Sequence, residues 1–255
     1  MAIFFTDLDN TLIYSYRRDI GRDKICVELY QGREISFVTA RTLELLQQVK
    51  AKCLLVPVTT RTQEQYSRIE LKIGIPEYAL VCNGGVLLKK GMEDAKWYQE
   101  SMDCVADCQE QLAQAQLLME RDRNRNFEVR NIRKLFLFTK SQEPSKSVEF
   151  LRKNLDLERV GVYQIGVKVY VVPKRLNKGA AVKRLLVKLQ EMGRKPEMVF
   201  AAGDSEFDVS MLQCADVPFA PESLHNSSVL PRQAAAAKEG QIFSEFVLEH
   251  VLKLH

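Results

Sequence analysis

The chain has few of the residues that usually shuttle protons near neutrality. Its 255 residues include only three histidines, His225, His250 and His255, and none sits in an obvious catalytic motif. Acid–base chemistry is therefore expected from carboxylates. No apolar run is long enough to span a bilayer, which argues against a membrane partner. A strand-like pattern begins within three residues of Met1 and leaves no room for a charged leader with a cleavage site, so the expected location is cytoplasmic. The six cysteines are scattered, most of them inside apolar runs. Cys104 and Cys108 are one helical turn apart, but no histidine or further cysteine pair completes a zinc set. A net charge of +4 is too small to demand a nucleic acid, although it suits a protein that handles anionic small molecules. Internal repeats and low-complexity linkers are also missing. With 46% hydrophobic and 27% charged residues, what remains is an ordinary globular composition with core enough for one large domain or two modest ones.

The most informative stretch is Ile3 to Leu12. An apolar strand pattern runs directly into Asp7-Leu8-Asp9-Asn10-Thr11. If the extended geometry persists, Asp7 and Asp9 share a face. Two such carboxylates repel unless a cation lies between them or one holds a proton, so the pattern implies a metal, a shared proton, or both. Alternatively, the strand simply ends in a solvated Asp/Asn turn.

Lys24 to Val38 alternates about Gln31-Gly32 as a β-hairpin, positioned to cover the acidic turn as a flap. Thr39 caps a helix from Ala40 to about Ala51. Cys53 to Val58 and Tyr78 to Cys82 are apolar runs of buried-strand type. The first ends in Thr59-Thr60-Arg61 and the second in Asn83-Gly84-Gly85, with a helix expected from Gln63 to Lys72 between them. From Val86 the rhythm changes: a strand at Val86 to Lys89, a helix from Asp103 to Arg121, a strand at Leu135 to Thr139, a helix from Ser145 to Asn154, and a strand at Gly166 to Val172. Beyond that, Asn177-Lys178-Gly179 opens a helix to about Met192. Met198 to Ala202 is a buried strand ending in Gly203-Asp204-Ser205-Glu206-Phe207-Asp208, followed by a helix from Val209, a strand at Val217 to Ala220 and a helix from Ile242 to Leu254. Ala234 to Ala237 reads as a helical turn. The expected fold is α/β, a doubly wound parallel sheet formed by residues 1–84 and 174–255, with an α+β domain inserted at 85–173.

Four segments in this order, Asp7 to Thr11, Thr59, Lys178 and Gly203 to Asp208, resemble the motifs of the haloacid dehalogenase superfamily of phosphohydrolases, and the resemblance covers the whole chain. The insert resembles the large α/β cap of its Cof-like, sugar-phosphatase branch, which includes sucrose-phosphate phosphatases. The resemblance implies a Rossmann-like core and a Mg²⁺-dependent phosphatase acting on a small phosphorylated metabolite, a sugar phosphate or related ester, through an aspartyl phosphate. By the same resemblance Asp7 is the nucleophile and Asp9 the acid–base. Thr59, Lys178 and Asn10 bind phosphate, while Arg61, Asn83 and Gly84 lie where substrate binds. Asp7, Asp204 and Asp208 hold the metal by their carboxylates and Asp9 holds it by its carbonyl.

Two positions depart from the family pattern: Thr60 stands where Gly is usual, and Phe207 where Asn is often found, which puts the hydrogen bonds around the metal ligands in doubt. A basic run in the insert, Arg121, Arg123, Arg125, Arg130, Arg133 and Lys134, is either a solvated face or a clamp for a second anionic group. The partner implied is a small phosphorylated metabolite, without nucleic acid or membrane, and the chain is expected to act as a monomer or homodimer. The alternatives are a phosphotransferase or phosphomutase on the same chemistry, and a metabolite-binding regulatory protein without catalysis.

Overall fold

The computed structural model describes residues 1–225, 230, 231 and 234–254, so His255 lies outside the described residues. The chain divides into two compact units, Met1–Asp94 with Lys178–His255, and Ala95–Asn177.

The first unit begins with β1 (Ala2–Thr6), β2 (Tyr14–Ser15), β3 (Lys24–Tyr30), β4 (Arg33–Thr39), α1 (Ala40–Lys52), β5 (Cys53–Pro57), α2 (Gln63–Tyr66), β6 (Tyr78–Val81), β7 (Val86–Lys89) and β8 (Met92–Glu93). The second unit contains α3 (Ala95–Cys104), α4 (Gln109–Arg121), β9 (Arg130–Ile132), β10 (Phe136–Lys140), α5 (Pro144–Asn154), β11 (Val160–Ile165) and β12 (Lys168–Pro173). The chain then returns to the first unit through α6 (Lys178–Glu191), β13 (Met198–Ala202), α7 (Val209–Leu212), β14 (Val217–Pro221), α8 (Glu222–His225), β15 (Ala235–Ala237) and α9 (Phe243–Leu254).

The first unit is built on a parallel sheet of order β15-β14-β13-β1-β5. Its apolar strands are buried on both faces, as a doubly wound sheet requires. Phe4, Leu55, Phe200 and Phe219 pack in one cluster with Leu46 of α1 and Val247 of α9. Ile3 and Phe5, which point the other way along β1, are also fully buried. On this far side α7 packs on β13 and β14 and against α6. The strand β6 continues the sheet beside β5 through a single parallel bridge, Val58 to Leu80. Thr39 caps α1 by accepting a hydrogen bond from the Thr42 amide at 3.0 Å. In the turn between β3 and β4, Gln31 and Gly32 have φ of 51° and 74°, the left-handed pair that a two-residue hairpin loop needs.

The local differences from the expectations have physical causes. The expected helix from Gln63 to Lys72 stops at Tyr66, because the backbone beyond it is diverted to β3. Ile69 bridges Glu28, and the Glu70 amide donates to the Val27 carbonyl at 2.8 Å. Ala235–Ala237 is a strand rather than a helical turn, since β14 offers it a parallel partner along Phe219 to Pro221. The division between units falls at Asp94 and Ala95 rather than after residue 84, because β7 pairs antiparallel with β6 and carries β8 with it. At the other end the division lies between Asn177 and Lys178.

In the second unit the expected helix from Asp103 is two helices. α3 starts earlier, at Ala95, and a break at Val105 separates it from α4. Two strands were absent from the expectation, β9 and β11, and they flank the antiparallel sheet of order β11-β12-β10-β9. Leu112 and Met119 of α4 and Val148 and Leu151 of α5 pack on Leu137 and Val171 of that sheet. Much of the basic run is used within the unit. The Arg130 guanidinium lies 4.8 Å from the Phe127 ring centroid and that of Arg133 lies 4.1 Å from the Tyr98 centroid, while Arg125 donates to the Phe127 carbonyl.

The start of α6 is locked to α7 by Gly179. A Cβ at this position would come within 2.2 Å of the Ser210 carbonyl oxygen, and the Gly179 amide donates to the Ser210 hydroxyl at 3.0 Å. Gly179→Ala is therefore expected to destabilise the chain by about 1–3 kcal/mol despite the better helix propensity of Ala. Urea unfolding checks this, and unchanged stability would mean that α6 is not seated against α7 in this way.

Candidate functional site at the carboxyl edge of the sheet

Register places the ends of β1, β5 and β13 at one level: Thr6 is paired with Pro57 on one side and with Ala202 on the other. Chain order reverses about β1, and such a switch point opens a crevice beyond the carboxyl ends of the strands. Asp7 follows β1, Thr59 lies just beyond β5, and Asp204 follows β13. The Asp7 amide donates to the Ala202 carbonyl at 2.9 Å and the Val58 amide to the Thr6 carbonyl at 2.8 Å, which extends the ladder to these residues.

Lys178, the first residue of α6, is buried with a side-chain exposure of 1%. A lysine at a helix start opposes the helix dipole, so its charge requires compensation from elsewhere. Its Nζ lies 2.5 Å from Asp7 Oδ1 and 2.5 Å from Asp208 Oδ1. The other Asp208 oxygen accepts from the Ser205 hydroxyl at 2.8 Å, the Ser205 amide at 3.0 Å and the Asp204 amide at 3.2 Å. These bonds orient Asp208 although Phe207 occupies the preceding position. Gly203 permits the tight turn, since a Cβ there would lie 2.2 Å from the Asp208 Cβ. Thr60 is not among the residues with left-handed backbone, so a side chain there causes no strain of that kind.

Asp7, Asp204 and Asp208 offer carboxylate oxygens within 4.8 Å of one another. Three carboxylates facing one ammonium leave uncompensated negative charge, and an all-oxygen set of this kind fits a hard divalent cation. The electrostatics agree. Burial, partly opposed by Lys178 and reinforced by Asp208, Asp204 and Asp9, holds the Asp7 carboxyl well above the usual range. Burial on its own would lower the Lys178 pKa, but the charges of Asp208 and Asp7 raise it above the ordinary lysine value. A cavity of about 760 Å³ adjoins Asn10 and Asp204, with Tyr14, Arg18 and Lys238 in its wall.

Asp9 does not share this cluster. Strand geometry ends at Thr6, and the chain turns at once: the Leu12 and Ile13 amides both donate to the Leu8 carbonyl, and Asn10 adopts φ of 59°. The turn sends the Asp9 carboxylate to Arg61, whose Nε and Nη2 meet its two oxygens at 2.8 and 2.7 Å. Asn10 lies close enough to Asp204 to lower its pKa slightly, and the Thr11 hydroxyl donates to Asp204 Oδ1 at 3.4 Å. Thr59 is fully buried, and its hydroxyl accepts from the Arg61 amide at 3.1 Å. Thr62 caps α2. Asn83 and Gly84 form the turn between β6 and β7, where the Asn83 amide donates to the Thr59 carbonyl at 2.9 Å. The structure thus brings Asp7, Lys178, Asp204 and Asp208 together, pairs Asp9 with Arg61, and sets Asn83 behind Thr59.

One participant carried no sequence signal. Glu28 of β3 is fully buried and binds Arg61 Nη1 at 2.9 Å and Arg68 Nη2 at 3.1 Å. In the sequence it is an ordinary polar residue of a hairpin strand. Burial alone would lower the Arg61 pKa, but its bonds to Asp9 and Glu28 hold it above the usual arginine value.

Asp204 is pushed up to about 7, chiefly by burial and next by the charge of Asp208. An unfolded aspartate titrates near about 3.9. Between those values the folded chain keeps a proton that the unfolded chain has released, so stability falls as pH rises through that window. In metal-free protein, Asp204→Asn is expected to stabilise by at least about 1 kcal/mol at about pH 8 and to give no such gain below about pH 4. Thermal unfolding in a chelator at the two pH values checks this, and an equal effect at both would contradict it.

The profile of the family described as sucrose-6F-phosphate phosphohydrolase matches residues 1–218. A relative from Arabidopsis thaliana, "Probable sucrose-phosphatase 2", is 32% identical over 103 residues, which is 40% of this chain but only 24% of that protein. The fold resembles the sucrose-phosphatase of Synechocystis, solved in complex with sucrose and phosphate, with a TM-score of 0.67 and 17% identity over 99% of this chain and 97% of that one. It also resembles a haloacid dehalogenase-like hydrolase from B. subtilis, with a TM-score of 0.62 and 16% identity over the whole of both chains. With its profile match covering most of the sequence, the chain belongs to the sucrose-6F-phosphate phosphohydrolase family of the haloacid dehalogenase superfamily.

Proposed function

We propose that this protein is a Mg²⁺-dependent phosphatase that hydrolyses a sugar phosphate through an aspartyl phosphate on Asp7, in the cytoplasm. The observation that carries the reading is the buried Lys178 ammonium bonded to Asp7 and Asp208 at the carboxyl edge of the sheet. Buried charges of this kind are costly to assemble, and a site for transferring a phosphoryl group requires them. Family membership supports the reaction class, and the sucrose and phosphate bound to the Synechocystis enzyme support the substrate class. All six cysteines are free, in keeping with a reducing compartment. No helix among the described residues is long and apolar enough to cross a membrane.

In this reading an Asp7 carboxylate oxygen attacks phosphorus while the bond to the sugar oxygen breaks, and that oxygen takes a proton from Asp9. Asp9, now ionised, removes a proton from water as the water attacks the same phosphorus, which releases inorganic phosphate and restores Asp7. Lys178 and the Thr59 hydroxyl neutralise and hydrogen-bond the phosphoryl oxygens, with Asn10 beside them. Arg61, Asn83 and Gly84 border the substrate's approach. Mg²⁺ would be held by the carboxylates of Asp7, Asp204 and Asp208 and the Asp9 carbonyl. When bound, it supplies positive charge that offsets the anionic cluster and the phosphate.

The test is phosphate release over a panel of sugar phosphates, with sucrose-6F-phosphate first and an aryl phosphate as a generic substrate, in Mg²⁺ and in chelator. Wild type is expected to turn over at least one sugar phosphate only with Mg²⁺, and Asp7→Asn to lose about 10³-fold or more in kcat. Full activity in Asp7→Asn would contradict the nucleophile assignment. No release from any substrate would contradict the phosphatase reading, and an isomerised phosphorylated product would favour a mutase.

A further inference from the structure

Glu28 occupies a costly position for a carboxylate. Its side chain is fully buried on a strand that otherwise packs Val27 into the core. An unpaired charge there would be strongly destabilising, whereas an apolar residue would need no partners at all. The surroundings are arranged to keep it. The pairing of β3 with β4 shifts register on both sides of Glu28, between Cys26 and Glu28 and again between Glu28 and Leu29. Bulges of this type re-aim a side chain, and here two successive residues, Val27 and Glu28, are both buried. The backbone of the same residues is tied to the segment after α2 through Ile69 and Glu70.

The partners of Glu28 define a direction. Oε1 receives Arg68, at 3.1 Å from Nη2 and 3.2 Å from Nε. Oε2 receives the Ser36 hydroxyl at 2.6 Å and Arg61 Nη1 at 2.9 Å. Arg61 has a side-chain exposure of 14% and uses its remaining edge, Nε with Nη2, for the two oxygens of Asp9. Asp9 itself is half exposed and extends from a turn, so by itself it would sample several rotamers. A planar fork fixed at its far end by a buried anion removes that freedom.

We propose that Glu28 and Arg61 are positioning residues that hold Asp9 in the orientation needed to deprotonate the water attacking the aspartyl phosphate. The inference rests on the reading above, in which Asp9 performs that step. The flap hairpin would thus act on the chemistry through a chain of three charged side chains, from Glu28 through Arg61 to Asp9. A carboxylate held at both oxygens by an arginine is oriented for the water-activating half of the cycle. With an aryl phosphate the first half needs no proton, because the leaving group departs as an anion. The two halves can therefore be separated kinetically.

The experiment compares wild type, Glu28→Gln, Arg61→Lys and the double variant on an aryl phosphate with Mg²⁺, by steady-state and stopped-flow kinetics. Each single variant is expected to lower kcat about 10-fold or more while kcat/KM stays within about threefold, so that KM falls with kcat. Each should also release a burst of aryl alcohol equivalent to the enzyme, followed by a slower phase than in wild type. The double variant is expected to be no worse than Arg61→Lys alone, because both changes break the same chain. Parallel losses of kcat and kcat/KM without a burst, unchanged kinetics, additive losses, or failure of both single variants to fold would each overturn the proposal. Inactive wild type would instead overturn the phosphatase reading on which it stands, and so separates the two failures.

Discussion

The buried ammonium of Lys178 is the constraint that organises the first unit. It bonds to both Asp7 and Asp208, and so joins the end of β1, the start of α6 and the turn after β13. These three segments come from distant parts of the sequence and meet at one charge. The need to keep that charge dry and paired explains nearby details: Gly179 lets α6 approach α7, Gly203 lets the acidic turn fold over Asp208, and the Ser205 hydroxyl and amide satisfy the Asp208 oxygen that Lys178 does not reach. A cluster with more carboxylates than ammonium is poorly balanced by itself. That imbalance is the physical case for a cation among Asp7, Asp204 and Asp208.

Much of this was legible in the sequence because it follows from periodicity and punctuation. The apolar runs ending in Asp7, Thr59 and Asp204 read correctly as buried parallel strands, and such strands carry their ligand groups at their carboxyl ends. Lys178 was legible as a residue opening a helix, a position the dipole disfavours for a cation. The hairpin was equally legible from Gln31-Gly32. What local pattern could not supply was tertiary competition. Nothing in Ser67 to Lys72 shows that β3 will take its backbone away from a helix, and nothing in Ala234 to Ala237 shows that β14 will offer a partner. The bulge that turns Glu28 inward is invisible for the same reason, as it depends on the pairing of β3 with β4.

The two acidic residues of the opening motif illustrate the difference between spacing and geometry. Spacing alone puts Asp7 and Asp9 on one face, but the strand ends before either, and the left-handed Asn10 closes a turn that separates them. Asp7 goes into the dry cluster and Asp9 outward to Arg61. Two identical side chains thereby acquire different surroundings, one dominated by burial and one by an arginine. The proposed roles of nucleophile and acid–base residue require such a difference.

The most direct test of the central claim is chemical trapping of the phosphorylated residue. Wild type is mixed with its sugar phosphate and Mg²⁺, quenched during turnover, reduced with borohydride and digested, and the peptides are read by mass spectrometry. The account predicts an acyl phosphate whose reduction converts Asp7 alone to homoserine. Reduction at another carboxylate, or turnover with no trapped acyl phosphate at Asp7 even in Asp9→Asn protein given an aryl phosphate, whose leaving group needs no proton, would contradict it.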